Sequence, residues 1–134
     1  MSMSVGSKVS ETVAVPALSA LAGWGVSQAM LGGGGTVRVF GTNLNVHLAN
    51  GLAVGVASGV GEFTKNAVIS NIPISDKAIK GILTMATPPA LAAAGTAVIG
   101  NYLYGEPFNV RQLVLGGVSQ AVGSYAWETL KTRI

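Results

Sequence analysis

Long stretches without a charged residue constrain the fold of this chain more than any other feature. Three of them lie between Glu11 and Arg38, between Arg38 and Glu62, and between Lys80 and Glu106. A helix needs about 20 residues to cross the hydrocarbon core of a bilayer, with a lower limit of about 17. Each of these three stretches is therefore long enough to span a membrane as a helix.

A fourth uncharged stretch, between Arg111 and Glu128, is shorter. It spans only if these two flanking side chains extend to the interfaces, as long charged side chains near helix ends do. The sequence thus predicts an all-α membrane protein with four transmembrane helices, at residues 14–31, 46–62, 88–104 and 110–127.

The composition agrees with a membrane protein. Only 10% of the 134 residues are charged and the mean hydropathy is +0.54, whereas a soluble domain carries about 25% charged residues. The eight Lys and Arg residues are too few and too dispersed for a nucleic-acid binder. Because there is no cysteine, disulfides and thiolate metal sites are excluded. The lipid bilayer is the predicted partner.

A glycine-rich β protein is the alternative fold. The strings "TVRVFG" and "LAVGVASGV" could form strands. In the second string, however, the valines alternate with glycine and alanine and not with polar residues, so no solvated face results. The helical interpretation is favoured for this reason.

An internal repeat divides the chain into two helical hairpins. Three motifs occur in the same order in both halves: Pro-Ala-Leu at Pro16 and Pro89, an aromatic-Gly turn leading to Asn-Val at Phe40 and Tyr104, and Glu-x-x-Lys at Glu62 and Glu128. Within each hairpin the proline suits a first helical turn. We expect Asn45 and Asn109 to cap the returning helices.

The repeat predicts four segments. They are an N-terminal tail at 1–12, a first hairpin at 13–65 with a glycine-rich loop at 32–39, a connector at 66–87, and a second hairpin at 88–131. The connector is expected to hold a short interfacial helix that Ser75 caps. The termini and the connector then lie on one side, with six of the eight basic residues, which predicts that this side is cytoplasmic.

Small residues mark the predicted helix contacts. Gly51, Gly55 and Gly59 are spaced four apart and form a stripe that lets another helix approach closely. The candidate partners on the other helices are Gly23, Ser27, Ser119 and Gly123. We favour packing within one chain over a glycine-zipper pore formed by several copies.

Two glutamines lie in matching strings, Gly-Val-Ser-Gln-Ala, at Gln28 and Gln120. Polar side chains in membrane helices bind neighbouring helices or mark a permeation path. We expect these two glutamines to bind across helix interfaces. His47, the one histidine, is expected to have a capping or packing role.

The sequence contains no recognisable catalytic pattern. Its five acidic residues are scattered singly, so neither a two-carboxylate site nor a metal cluster is indicated. The run "LGGGGTVR" lacks the Gly-Lys-Ser/Thr that a phosphate-binding loop requires. We therefore predict a non-enzymatic protein with no cofactor, no metal and no small-molecule substrate.

In size, Gly/Ala-rich composition and duplicated hairpins, the chain resembles the small membrane-associated minor capsid proteins of large icosahedral double-stranded DNA viruses, such as those infecting algae. The resemblance implies a virion component of the internal membrane that anchors a protein shell through contacts with other capsid or membrane proteins. The implied contact surfaces are the tail and the polar turns, including Gly34, Arg38, Tyr104 and Arg111.

Two other functions remain open from the sequence. The glycine stripe is similar to that of the four-span mitochondrial import-channel family, and it allows a holin-like pore or a translocase channel subunit. A soluble structural β protein is the third alternative.

Overall fold

The computed structural model describes residues 5–33, 35–104 and 110–132. These form four α-helices and one β-hairpin: α1 (Val5–Leu31), β1 (Thr36–Val39), β2 (Thr42–Asn45), α2 (Val46–Phe63), α3 (Lys77–Tyr104) and α4 (Val110–Lys131). A π-helical turn (Thr64–Val68) and a 3₁₀ turn (Ile69–Asn71) follow α2. The prediction of a mainly helical protein is confirmed.

The four helices form an antiparallel bundle in which each helix packs against two neighbours. α1 contacts α2 and α4, and α3 contacts the same two helices from the other side. The halves defined by the repeat are thus the hairpins α1–α2 and α3–α4. In the first hairpin the predicted cap is confirmed, because the Asn45 side chain accepts hydrogen bonds from the backbone N–H groups of His47 and Leu48, at 2.9 and 3.3 Å.

The first helix begins earlier than predicted. Residues 5–12 of the expected tail form the first turns of α1. Glu11, expected near the end of a tail, is buried on the face of α1 that continues through Val15 and Ser19. Packing of this face against the other helices extends the helix beyond the apolar stretch.

The third helix also begins earlier, since the predicted connector helix and third span form one continuous helix. Its N-cap is Asp76 and not Ser75: the Asp76 carboxylate accepts hydrogen bonds from Ala78 N and Ile79 N at 2.9 and 3.2 Å. The helix runs through Pro88 and Pro89, which we expected at its start. Proline removes backbone hydrogen bonds inside a helix, but neighbouring helices stabilise such sites in membrane proteins.

A β-hairpin forms where a loop at 32–39 was expected. Thr36 pairs with Asn45 and Val39 with Thr42, so the first four residues of "TVRVFG" form a strand, as the alternative interpretation suggested. Phe40 and Gly41 both have positive φ, +49° and +77°, as a two-residue type I′ turn requires. The other proposed β segment, "LAVGVASGV", lies inside α2.

Two helices are long and apolar enough to cross a membrane, at Glu11–Met30 in α1 and Lys77–Tyr102 in α3. Only 22% of the residues in each stretch are buried. A helix that is apolar on all sides in a soluble protein is instead enclosed by its core. The structure therefore weakly supports membrane association through α1 and α3.

Candidate functional site: the polar interior of the bundle

Polar side chains occupy the interior of the bundle. Along α1 the buried positions follow a four-residue spacing, and these positions carry Glu11, Val15, Ser19, Gly23 and Ser27. The other helices turn a similar face inward, with these buried polar side chains: His47, Asn50, Ser58, Glu62, Thr96, Gln112, Ser119 and Gln120. Few of the buried residues are large and apolar, because the helices contact one another closely through alanine and glycine residues.

The outer surface is apolar. Every helix exposes large aliphatic or aromatic side chains, and the exposed residues include Val13, Leu21, Trp24, Leu52, Val56, Val60, Ile82, Met85, Val98, Val114, Val118, Val122 and Tyr125. Soluble proteins rarely expose apolar patches of more than a few hundred Å². This distribution, polar inside and apolar outside, is the reverse of that in a soluble bundle.

Charged side chains meet at the end of the bundle remote from the β-hairpin. Glu62, at the end of α2, is 1% exposed, and Glu11 of α1 is 5% exposed. Lys65 forms ion pairs with both carboxylates; its Nζ lies 2.9 Å from Glu62 Oε2. This charged cluster, Glu11–Lys65–Glu62, connects α1 to the end of α2.

The fourth helix completes the charged cluster. The Gln120 amide donates hydrogen bonds to Glu62 Oε1 at 3.2 Å and to the Ser124 hydroxyl at 2.7 Å. Burial alone lowers the pKa of a lysine, but the hydrogen bonds and charges of Glu11 and Glu62 outweigh it. The pKa of Lys65 is therefore raised, and its ammonium group stays charged.

The second Glu-x-x-Lys motif has a different environment. Lys131 Nζ lies 3.0 Å from Glu128 Oε1, and the Glu128 side chain is 63% exposed. The two motifs thus share their ion-pair geometry but differ in burial. Only the first one is part of the interior.

A chain of hydrogen bonds lies at the hairpin end of the bundle. Asn50 donates to the Ser27 hydroxyl at 2.9 Å, Ser27 lies 2.8 Å from His47 Nδ1, and His47 Nε2 lies 2.7 Å from the Gly33 carbonyl. Because a carbonyl only accepts, Nε2 carries a proton and donates to Gly33, which in the neutral imidazole leaves Nδ1 to accept from Ser27. The chain holds the glycine-rich segment onto α1 and α2, which agrees with the packing role expected for His47.

Between these two ends lie four fully buried hydroxyl groups: Ser19, Ser58, Thr96 and Ser119. None has a hydrogen-bond partner among the described residues. Buried polar groups are generally hydrogen-bonded to protein or ordered water. Each helix contributes one of these hydroxyls, so polar groups extend along the interior from one end to the other.

The predicted glycine stripe packs within the chain. A Cβ atom on Gly51 would lie 2.8 Å from the Ala20 carbonyl oxygen, and one on Gly55 would lie 2.9 Å from Ala20 Cβ. Gly59 is less crowded, 3.8 Å from Pro16 Cγ. The stripe is therefore covered by α1 of the same chain.

The other predicted packing residues divide into two groups. Gly23, Ser27, Ser119, Gln120 and Gly123 are buried, and a Cβ on Gly23 would lie 2.9 Å from Val54 Cγ2. Gln28, in contrast, is exposed near the end of α1. Gln28 therefore does not share the buried environment of Gln120, because the two matching strings are oriented differently in the bundle.

Two of the predicted contact residues, Arg38 and Arg111, lie at the end of the bundle that carries the β-hairpin. Arg38 is exposed on β1, and Arg111 is exposed in the first turn of α4. Gly34 and the side chain of Tyr104 lie outside the described residues, as does the predicted cap Asn109. The described lysines, including Lys65 and Lys131, lie at the opposite end.

An open apolar groove of about 600 Å³ lies between the β-hairpin, α2 and α3. Its lining includes Val39, Phe40, Leu52, Val56 and Ile99. The groove is continuous with the exposed apolar surface of α2 and is separate from the polar interior.

Sequence reasoning missed the pairing of Glu11 with Lys65 and the buried roles of Asn50 and Thr96. The four-residue spacing of polar and small residues along α1 was the available signal. In the part of the chain that the structure describes, no group of three or more His, Asp or Glu side chains is placed to hold a metal ion. Comparison with protein-family models, curated proteins and solved structures finds no match to this chain.

Proposed function

We propose that the protein is a four-span membrane protein with a structural role, acting through contacts and not through catalysis. The observation that carries this proposal is the reversed polarity of the bundle. Exposed Val56 and Val118 lie on α2 and α4, which are the two helices other than those long and apolar enough to cross a membrane by themselves. A bilayer would cover these side chains as well as those of α1 and α3.

Helix lengths are compatible with four spans. At about 1.5 Å of rise per residue, the 18 residues of α2 extend about 27 Å and the 22 residues of α4 about 33 Å. The hydrocarbon core is about 30 Å thick. The polar groups of the interior are then shielded from lipid by the four helices, as intramembrane polar residues generally are.

The second part of the proposal is a shell-anchoring role, as in the minor capsid proteins that the sequence resembles. The β-hairpin supports this role, because the exposed Arg38 lies on β1, beyond the ends of α1 and α2 that the β-hairpin connects. If the protein is a virion component, it will be present in purified virions. Arg38→Ala will then reduce its incorporation into particles but not its insertion into membranes.

Membrane topology tests the four-span arrangement. Because the chain contains no cysteine, single cysteines can be introduced at Asn43 in the hairpin and at Ser75 in the connector. A membrane-impermeant maleimide should label these two positions from opposite sides of the membrane. Labelling from the same side, or release of the protein by alkaline carbonate, would contradict the proposal.

The pore alternative is tested in liposomes. The glycine stripe faces α1 of the same chain, so it offers no bare surface for a zipper between copies. We expect proteoliposomes to release a small fluorescent dye no faster than vesicles without the protein. Protein-dependent dye release would favour a pore and contradict a purely structural role.

A further inference from the structure

We infer that Glu11 and Glu62 together bind one proton, which makes the charged cluster Glu11–Lys65–Glu62 electrically neutral inside the bundle. The described charges of this cluster are two carboxylates and one ammonium group. Both carboxylates are at least nine-tenths buried, at 5% and 1% exposed. The cluster would carry one uncompensated negative charge without a further positive charge or a proton.

An uncompensated charge of this kind is expensive in a low-dielectric interior. Isolated buried ions are avoided in proteins, and a group that lacks a partner is neutralised instead. Two carboxyl groups at one site commonly share a single proton for the same reason. Lys65 can neutralise only one of the two carboxylates.

The other described lysines at this end are bonded elsewhere or exposed. Lys80 donates to the backbone carbonyls of Ser70 and Ile72 at 3.2 and 3.4 Å. Lys131 pairs with Glu128 at 3.0 Å, and Lys77 is exposed on the first turn of α3. Gln120, which α4 contributes to the cluster, is neutral.

A buried hydroxyl lies next to the cluster on α2. Ser58 lies one helical turn before Glu62 on the inward face of α2, is fully buried, and has no partner among the described residues. A serine hydroxyl donates to an ionised carboxylate and accepts from a protonated one, so either form of Glu62 can pair with Ser58. Glu62 Oε1 accepts from Gln120, and Oε2 forms an ion pair with Lys65 at 2.9 Å.

Infrared spectroscopy tests the inference directly. In proteoliposomes at neutral pH, a shared proton produces a carboxylic-acid C=O band that shifts on exchange into D₂O. We expect this band in the wild-type protein. We expect its loss in both Glu11→Gln and Glu62→Gln, because Lys65 neutralises whichever carboxylate remains.

Two further variants sharpen the test. Glu128→Gln is the matched control, since it removes the exposed member of the same motif and should leave the band unchanged. Lys65→Met should strengthen the band, because both carboxyl groups then become neutral. A band that persists in both glutamine variants of the cluster would overturn the inference.

The inference remains testable if the cluster variants do not fold. Carboxyl-labelled glutamate in the wild-type protein gives solid-state NMR signals from only four residues: Glu11, Glu62, Glu106 and Glu128. One signal should report a protonated carboxyl at neutral pH. If all four are ionised, another cation, such as Lys8 one turn before Glu11 in the sequence, neutralises the pair and the inference is wrong.

Discussion

Substitution of the stripe glycines by alanine should change the stability of the bundle according to the space at each position, with the largest loss where the space is smallest. A Cβ on Gly51 would lie 2.8 Å from the Ala20 carbonyl oxygen and 3.2 Å from Trp24 N, both backbone atoms. Backbone cannot move aside as a flexible side chain can, so α1 and α2 must separate. On Gly59 the nearest atom is Pro16 Cγ at 3.8 Å, an ordinary contact.

The magnitudes follow from two opposing effects. Alanine is more favourable than glycine in a helix by about 1 kcal/mol, while overpacking of a close contact costs about 1–3 kcal/mol. At Gly51 the contact is with backbone, so the upper overpacking cost applies. After the gain in helix propensity is subtracted, Gly51→Ala should lower the free energy of unfolding by about 2 kcal/mol. Gly59→Ala should raise it by up to about 1 kcal/mol, and Gly55→Ala should fall between the two.

The assay is reversible unfolding in mixed micelles, with SDS as the denaturant and far-ultraviolet circular dichroism as the signal. Gly25→Ala is the control, because a Cβ at this exposed position of α1 would meet no atom within 4 Å. It should stabilise the protein slightly. Equal stability of the Gly51 and Gly59 variants would refute the argument that close backbone contact sets the helix spacing.

Three other substitutions give clear expectations. His47→Ala removes the hydrogen bonds to Ser27 and the Gly33 carbonyl. It should lower the free energy of unfolding by about 1–3 kcal/mol and accelerate hydrogen exchange of the β1 amides. Unchanged exchange would show that His47 does not hold the β-hairpin against the helices. Asn45→Ala and Asp76→Ala each remove a helix cap and should each lower the free energy of unfolding by about 1 kcal/mol, measured by the same SDS titration; no loss in either would contradict the cap assignments.

The sequence predicted the positions of the four helices because uncharged apolar stretches of sufficient length have few other stable structures. It misplaced the beginnings of α1 and α3. Both helices extend beyond their apolar stretches, and in α3 the Asp76 cap and packing around Pro88 outweigh the local preference of proline for a helix start. Such tertiary contacts are not visible in a local pattern.

The interior could be predicted only in part. The spacing of Gly51, Gly55 and Gly59 indicated a close helix contact, which the structure places against α1. Sequence similarity between the strings at Gln28 and Gln120 did not predict burial, because burial depends on which face each helix turns inward. The pairing of Glu11 with Lys65 joins residues far apart in the chain, and no local signal specifies such a pair.

The most direct test of the account is the environment of the outer faces of α2 and α4 in a bilayer. Single cysteines at Val56 and Val118 can carry nitroxide labels, whose relaxation by oxygen and by a water-soluble nickel complex is measured in liposomes. The account predicts high accessibility to oxygen and none to the nickel complex at both positions. At the exposed Lys77 it predicts greater accessibility to the nickel complex than to oxygen. Nickel accessibility at Val56 and Val118 would show that these faces meet water, and would contradict a four-span membrane bundle.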